Sequence, residues 1–155
     1  MPSIPLTPRE SVTEAVQQML LALDRDDVEL FSAAYAGEDT VFEMNGTSKT
    51  TLNGVSAVVT LVFDLVGPMD STHMITNIKV DVKDGANTAF LSCYVLAQHA
   101  APGKGWDCDS PKYLVGGTYA IDLVKDEAQG VWKIRKFALE VLWNQGDPSV
   151  MQKPV

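Results

Sequence analysis

Apolar residues recur at helical spacing near the start of the chain. Val12, Ala15, Val16, Met19, Leu20 and Leu23 share one face of a helical repeat. The segment before them, Thr7-Pro8-Arg9-Glu10, supplies a capping hydroxyl, a proline suited to the first helical position and a glutamate that completes a capping box. This predicts an amphipathic helix from about Pro8 to Leu23. Asp26 with Glu29 repeats the box spacing, so a second, shorter helix is expected from Val28 to Tyr35, ended by Gly37. Asn45-Gly46 marks a turn between two short strands, Thr40 to Asn45 and Ser48 to Leu52. A third helix, Val55 to Val66, is apolar nearly all round and is therefore expected to be buried.

From Ser71 onward the pattern changes to β-branched alternation. Four long strands are expected: Thr72 to Val82, Thr88 to Ala100, Leu114 to Val124 and Val131 to Leu142. Asp84-Gly85-Ala86-Asn87 turns the first pair. Ala101 to Lys112, with two prolines and two glycines, forms a long loop. Helices first and strands after indicate an α+β fold, a curved sheet wrapped around N-terminal helices. Strands of about 11 residues would run about 35 Å if straight. They must twist and bend, which leaves a conical cavity. One domain is expected over residues 1–155, with its core at about 8–143 and a tail at 144–155.

Composition narrows the function classes. The 155 residues are 46% hydrophobic and 21% charged, as in ordinary globular domains. A net charge of -8 with 12 Lys+Arg argues against nucleic acid or an anionic membrane as partner. No apolar run reaches the ~18 residues of a membrane span. Met1-Pro2-Ser3-Ile4-Pro5 lacks the basic start and apolar stretch of a secretory signal, so a cytoplasmic location is expected. Cys93 and Cys108 form neither a disulfide framework nor a metal pattern. Cys93 reads as an inert core thiol, and Asp107 and Asp109 flank Cys108 without activating it. The sequon Asn45-Gly46-Thr47 is expected to go unused.

The candidate chemistry rests on three residues. The only histidines, His73 and His99, lie on the two arms of the central hairpin. With the turn centred on Ala86 they face each other, on one side of the sheet with Ile75, Asn77, Val95 and Ala97. Asp24 continues the apolar stripe after Leu20 and Leu23. A carboxylate there points partly inward and needs a partner, and an imidazole is the obvious one. Such an Asp–His pair equips a general acid or base. The alternatives are structural histidines or a metal site, but there is no HxH or HExxH spacing. Asp26 and Asp27 read as a solvated, helix-breaking pair.

Among the aromatics, Phe42, Phe63, Phe90, Tyr94, Trp132 and Phe137 read first as core, with Phe63 also a candidate for the substrate wall. Tyr119 shares the apolar phase of Val115, Gly117, Ile121 and Leu123, so it should enter the cavity. Trp106 in the long loop is a candidate lid. Trp143 is placed to anchor the tail across the pocket or a dimer surface.

Ala22-Leu23-Asp24-Arg25-Asp26-Asp27, Ser71-Thr72-His73, His99 and Gly130-Val131-Trp132-Lys133-Ile134 together resemble the SnoaL-like branch of the nuclear transport factor 2-like superfamily, which includes fungal scytalone dehydratase. The resemblance implies a cone-shaped barrel with a deep pocket, a homodimer, and neither metal nor organic cofactor. It implies catalytic roles for Asp24, His73 and His99, with His73 the base oriented by Asp24 and His99 the acid, or the reverse. The dehydratase's two carbonyl-side tyrosines are replaced by Leu23 and Met44, and a Ser and Asn pair by Tyr119 and Ile121. A more apolar pocket follows, lined by Leu23, Met44, Phe63, Tyr119, Trp106 and Trp143. The expected partner is a small apolar polyketide or meroterpenoid intermediate, acted on by an isomerase, cyclase or dehydratase. A ligand-binding or assembly module of the same fold is the second reading. An epoxide-opening hydrolase using Arg25 and Asn77 is the third.

Overall fold

A computed structural model describes residues 4–152. The start Met1-Pro2-Ser3 and the last three tail residues lie outside the described residues. The architecture is α+β, with N-terminal helices packed on a six-stranded mixed sheet. Helix α1 (Pro8–Asp24) begins at the expected capping box: the Thr7 hydroxyl accepts from the Glu10 amide, and the Glu10 carboxylate accepts from the Thr7 amide. It ends in a Schellman turn, with the Asp27 amide on the Ala22 carbonyl and the Asp26 amide on that of Leu23. Asp26 takes the left-handed conformation that this turn requires (φ 57°). Asp26 therefore cannot cap the second helix. Asp27 does so instead, accepting from the Leu30 amide, and α2 is shorter than expected (Val28–Ala33).

Strands β1 (Val41–Asn45) and β2 (Lys49–Asn53) form the small hairpin. Helix α3 (Val55–Val58) continues as a π-helical stretch, Val59–Phe63, and a last α turn, Asp64–Val66. The long strands follow: β3 (Asp70–Asp81), β4 (Thr88–Ala100), β5 (Lys112–Asp126) and β6 (Val131–Gly146). The order is β2-β1-β6-β5-β4-β3, antiparallel throughout except for the parallel β1–β6 pair. Bulges in β3–β4 and β5–β6 bend the sheet toward the helices. The core lies between them, with Val12, Val16, Phe31, Leu91, Ile121 and Ile134 fully buried.

Several expectations are corrected. Strand β6 runs through residue 146, past the expected Leu142, and a 3-10 turn (Pro148–Met151) follows, with Met151 packed against the core. Phe90 and Tyr94 are exposed, not core. Alternation along β4 turns Leu91, Cys93, Val95, Ala97 and His99 inward and must turn these two outward. No helix among the described residues is long and apolar enough to cross a membrane.

Candidate active site

Asp24 is the last residue of α1, a position where the helix dipole disfavours an anion. Hydrogen bonds compensate. Its Oδ1 accepts from the Ser71 hydroxyl at 2.9 Å and lies 2.6 Å from His73 Nδ1, while Oδ2 accepts from the His73 backbone amide at 2.8 Å. That amide is free because β3 is an edge strand, and the helix end occupies the edge. Burial, the largest single influence on the carboxyl, works to raise its pKa. The hydrogen bonds and charge of His73, with Ser71, outweigh it and hold Asp24 below the usual carboxylate range.

The histidines share one face, but not as direct opposites. His73 lies opposite Ala97, and His99 opposite Ser71. The turn moves the pairing by one residue. A bulge at Asn77, which adopts a left-handed conformation (φ 54°) between Thr76 and Lys79, moves it by another. Either shift alone would send one histidine to the outer face; together they restore it. The rings meet edge to face with centroids 5.4 Å apart. Asn77 itself is exposed in the bulge, not on the inner wall as expected.

His99 is 4% exposed. Its Nδ1 sits 3.2 Å from the Tyr113 carbonyl, which requires the proton on Nδ1. Burial is the main cause that lowers its pKa, to about 4, with the neighbouring His73 adding to the effect. The ring is therefore neutral near pH 7 and offers Nε2 as an acceptor.

Both rings line a cavity of about 370 Å³, at the small end of ligand pockets. Met19, Leu20 and Leu23 of α1, Phe31, Phe42, Met44, the turns around Leu61 and Leu65, and the inner sheet residues Val95, Val115, Phe137 and Leu139 make its walls. Its polar side chains are His73, His99, Tyr35, Tyr113 and Tyr119; no Lys, Arg, Asp or Glu lines it among the described residues. Asp24 instead borders a polar hollow on the outer surface, with Ser71, Gln98 and Lys112. His73 thus separates the apolar cavity from the carboxylate partner at the surface. A larger depression of about 730 Å³ near Asp81 and Arg135 is shallow and open, and neither histidine borders it.

Of the expected wall residues, Leu23, Met44 and Tyr119 line the cavity. Phe63 is buried behind it, against Phe31 with centroids 5.0 Å apart. Trp106 is 98% exposed and is not a lid. Its loop is pinned outside by the Gly103 and Gly105 amides on Asp70 and by the Lys112 ammonium on three loop carbonyls. Trp143 faces outward and covers Gly116, because the β5–β6 bulge at Leu142 turns it to the opposite face from Val141 of the wall. Arg25 and Asn77 do not reach the cavity, so the hydrolase arrangement is absent from it. Tyr35, Tyr113 and Met151 line it without having been singled out by the sequence.

A model of the SnoaL-like domain matches residues 5–138. The chain belongs to this family. It is 35% identical over 148 residues to the terrestric acid biosynthesis cluster protein E of Penicillium crustosum, covering 96% of this chain and 92% of that one. Among solved structures, a protein provisionally assigned as an aromatic ring hydroxylase from Novosphingobium aromaticivorans superposes with a TM-score of 0.76 at 21% identity, covering 97% and 100% of the two chains. A protein provisionally assigned as a scytalone dehydratase from the same organism gives 0.71 at 20% identity, covering 87% and 84%. At these identities the structures show a shared fold alone. Their differing names illustrate that one fold hosts several chemistries.

Proposed function

We propose that this SnoaL-like protein is a cofactor-independent isomerase, cyclase or dehydratase acting on a polyketide or meroterpenoid intermediate. The observation that carries the reading is the Asp24–His73 pair at 2.6 Å, with the histidine ring bordering an apolar cavity. The relative encoded in a fungal biosynthesis cluster and the fold shared with a dehydratase candidate support the same class.

Asp24 holds the proton on His73 Nδ1 and leaves Nε2 to accept one from carbon next to a substrate carbonyl. The carboxylate then stabilises the imidazolium that forms. Returning the proton at another carbon isomerises the substrate, and passing it to a hydroxyl expels water. One positioned transfer of this kind contributes about 10² to 10⁴ in rate. The apolar wall excludes water and strengthens hydrogen bonds to the developing enolate. His99, neutral and with Nδ1 committed to Tyr113, suits a hydrogen-bond acceptor for a substrate hydroxyl better than the acid role the resemblance implies.

The test uses 2-acetonaphthone, a neutral aryl methyl ketone, in deuterated water. The wild type should speed deuterium entry into its methyl group, read by mass spectrometry. His73→Asn, which keeps a donor toward Asp24, should reduce the rate to that without protein. Equal exchange in wild type and variant would overturn the reading.

A further inference from the structure

The histidines are not the only polar groups facing the cavity. Tyr35 is 4% exposed and Tyr119 5% exposed, and both line its wall. Neither hydroxyl has a hydrogen-bonding partner in the protein among the described residues, yet no enclosed side-chain polar atom among them is left unsatisfied. The two oxygens therefore touch the open space of the cavity. Buried tyrosines ordinarily spend their hydroxyl on a partner. Two that do not, in one apolar chamber, leave donors free for a ligand.

Their placement is specific. Tyr35 follows α2 and is fixed by a parallel bridge to Ile134 and by the Phe31 ring at 5.2 Å. Tyr119 is wedged against Phe137 at 4.6 Å. In the sheet, His73 lies level with Ala97 and Val115. Tyr119 stands four residues further along β5, about 13 Å along the strand at a rise of ~3.3 Å per residue. The backbone of Tyr119 is thus offset along the sheet from the histidine pair, while its hydroxyl still lies within reach of the Asp24 charge.

We propose that Tyr35 and Tyr119 form a second oxygen-recognition site in the cavity. The substrate class that fits is an uncharged, elongated molecule with two oxygen functions. A carbonyl lies at the histidines, and a hydroxyl or second keto oxygen lies at the tyrosines. The absence of any cationic side chain from the described wall disfavours a carboxylate at either site, since a buried unpaired charge is costly. This deepens the acid–base reading and rests on it for the orientation of the ligand. The tyrosines are positioning and specificity residues.

The experiment compares two probes of one shape, 2-acetonaphthone and 6-acetyl-2-naphthol, which adds a hydroxyl at the far end. Dissociation constants are measured by calorimetry for the wild type, Tyr35→Phe, Tyr119→Phe and the double variant. The added hydroxyl should tighten wild-type binding about five- to tenfold, as one net hydrogen bond gives. In the double variant the ratio of the two dissociation constants should fall to about one. 2-Naphthoate should bind at least about tenfold more weakly than the ketone. A probe ratio near one in the wild type, an unchanged ratio in the double variant, equal binding of naphthoate, or no saturable binding of either ketone overturns the proposal. Methyl deuterium exchange, followed in the same samples, separates the two claims. Exchange without the hydroxyl gain refutes the tyrosine site alone. The gain without exchange refutes the base alone.

Discussion

His99 makes a stability prediction that can be worked through. In the unfolded chain its imidazole titrates near 6.5, whereas burial holds the native ring neutral down to about 4. Between these values the unfolded state binds a proton that the native state does not, so acid favours unfolding. The neutral ring's contribution is complete above about pH 6.5 and is lost as the pH falls to about 4. At about 1.36 kcal/mol per pH unit the full loss is about 3 kcal/mol, a large share of a small domain's stability. The perturbation is His99→Asn, whose amide keeps a donor toward the Tyr113 carbonyl but does not titrate. Urea unfolding, followed by far-ultraviolet circular dichroism, is measured from about pH 7 down to about pH 4.5. The variant is less stable near pH 7 because packing is lost, and its deficit should shrink by about 2 to 3 kcal/mol over that range. Parallel losses in the two proteins would show that His99 is not held neutral and would refute the reasoning.

Other substitutions separate the site from its surroundings. Asp24→Ala strands the Ser71 hydroxyl, the His73 amide and Nδ1; it should lower stability by about 2 kcal/mol in urea unfolding and slow ketone exchange on the order of a hundredfold. Trp106→Ala should leave unfolding midpoints within about 0.5 kcal/mol and exchange unaltered, since the ring is 98% exposed. Gly117→Ala places a methyl on the Glu140 carbonyl across the β5–β6 bulge, and thermal melting should show a loss of at least about 2 kcal/mol.

Much of this fold was legible because local signals agreed with each other. The Thr7 box, the stripe ending in Leu23-Asp24 and the alternation of β4 each specify an element and its buried face. Asp24 could be singled out because a carboxylate on an apolar stripe demands a partner. The same alternation that turns His99 inward excludes Phe90 and Tyr94 from the core, so that information was present but outweighed by their aromatic character. Other features depend on contacts between distant segments. Asn77 lies in an alternating run, and nothing local marks the bulge that keeps both histidines on one face. Tyr35 reaches the cavity only because the end of α2 bridges to Ile134 of β6. Met151 reaches it because Asp147 bonds the Lys112 carbonyl and returns the tail to the body. Trp106 lies in a loop without periodicity, where sequence offers no guide to direction.

The most direct test of the central claim is nitrogen NMR of the His73 ring near pH 7. The expected spectrum has a protonated Nδ1 whose signal is strongly displaced by hydrogen bonding to Asp24, and a bare Nε2. In Asp24→Asn that displacement should vanish. A proton on Nε2 with Nδ1 bare, or a His73 spectrum indifferent to the Asp24 substitution, would contradict the account.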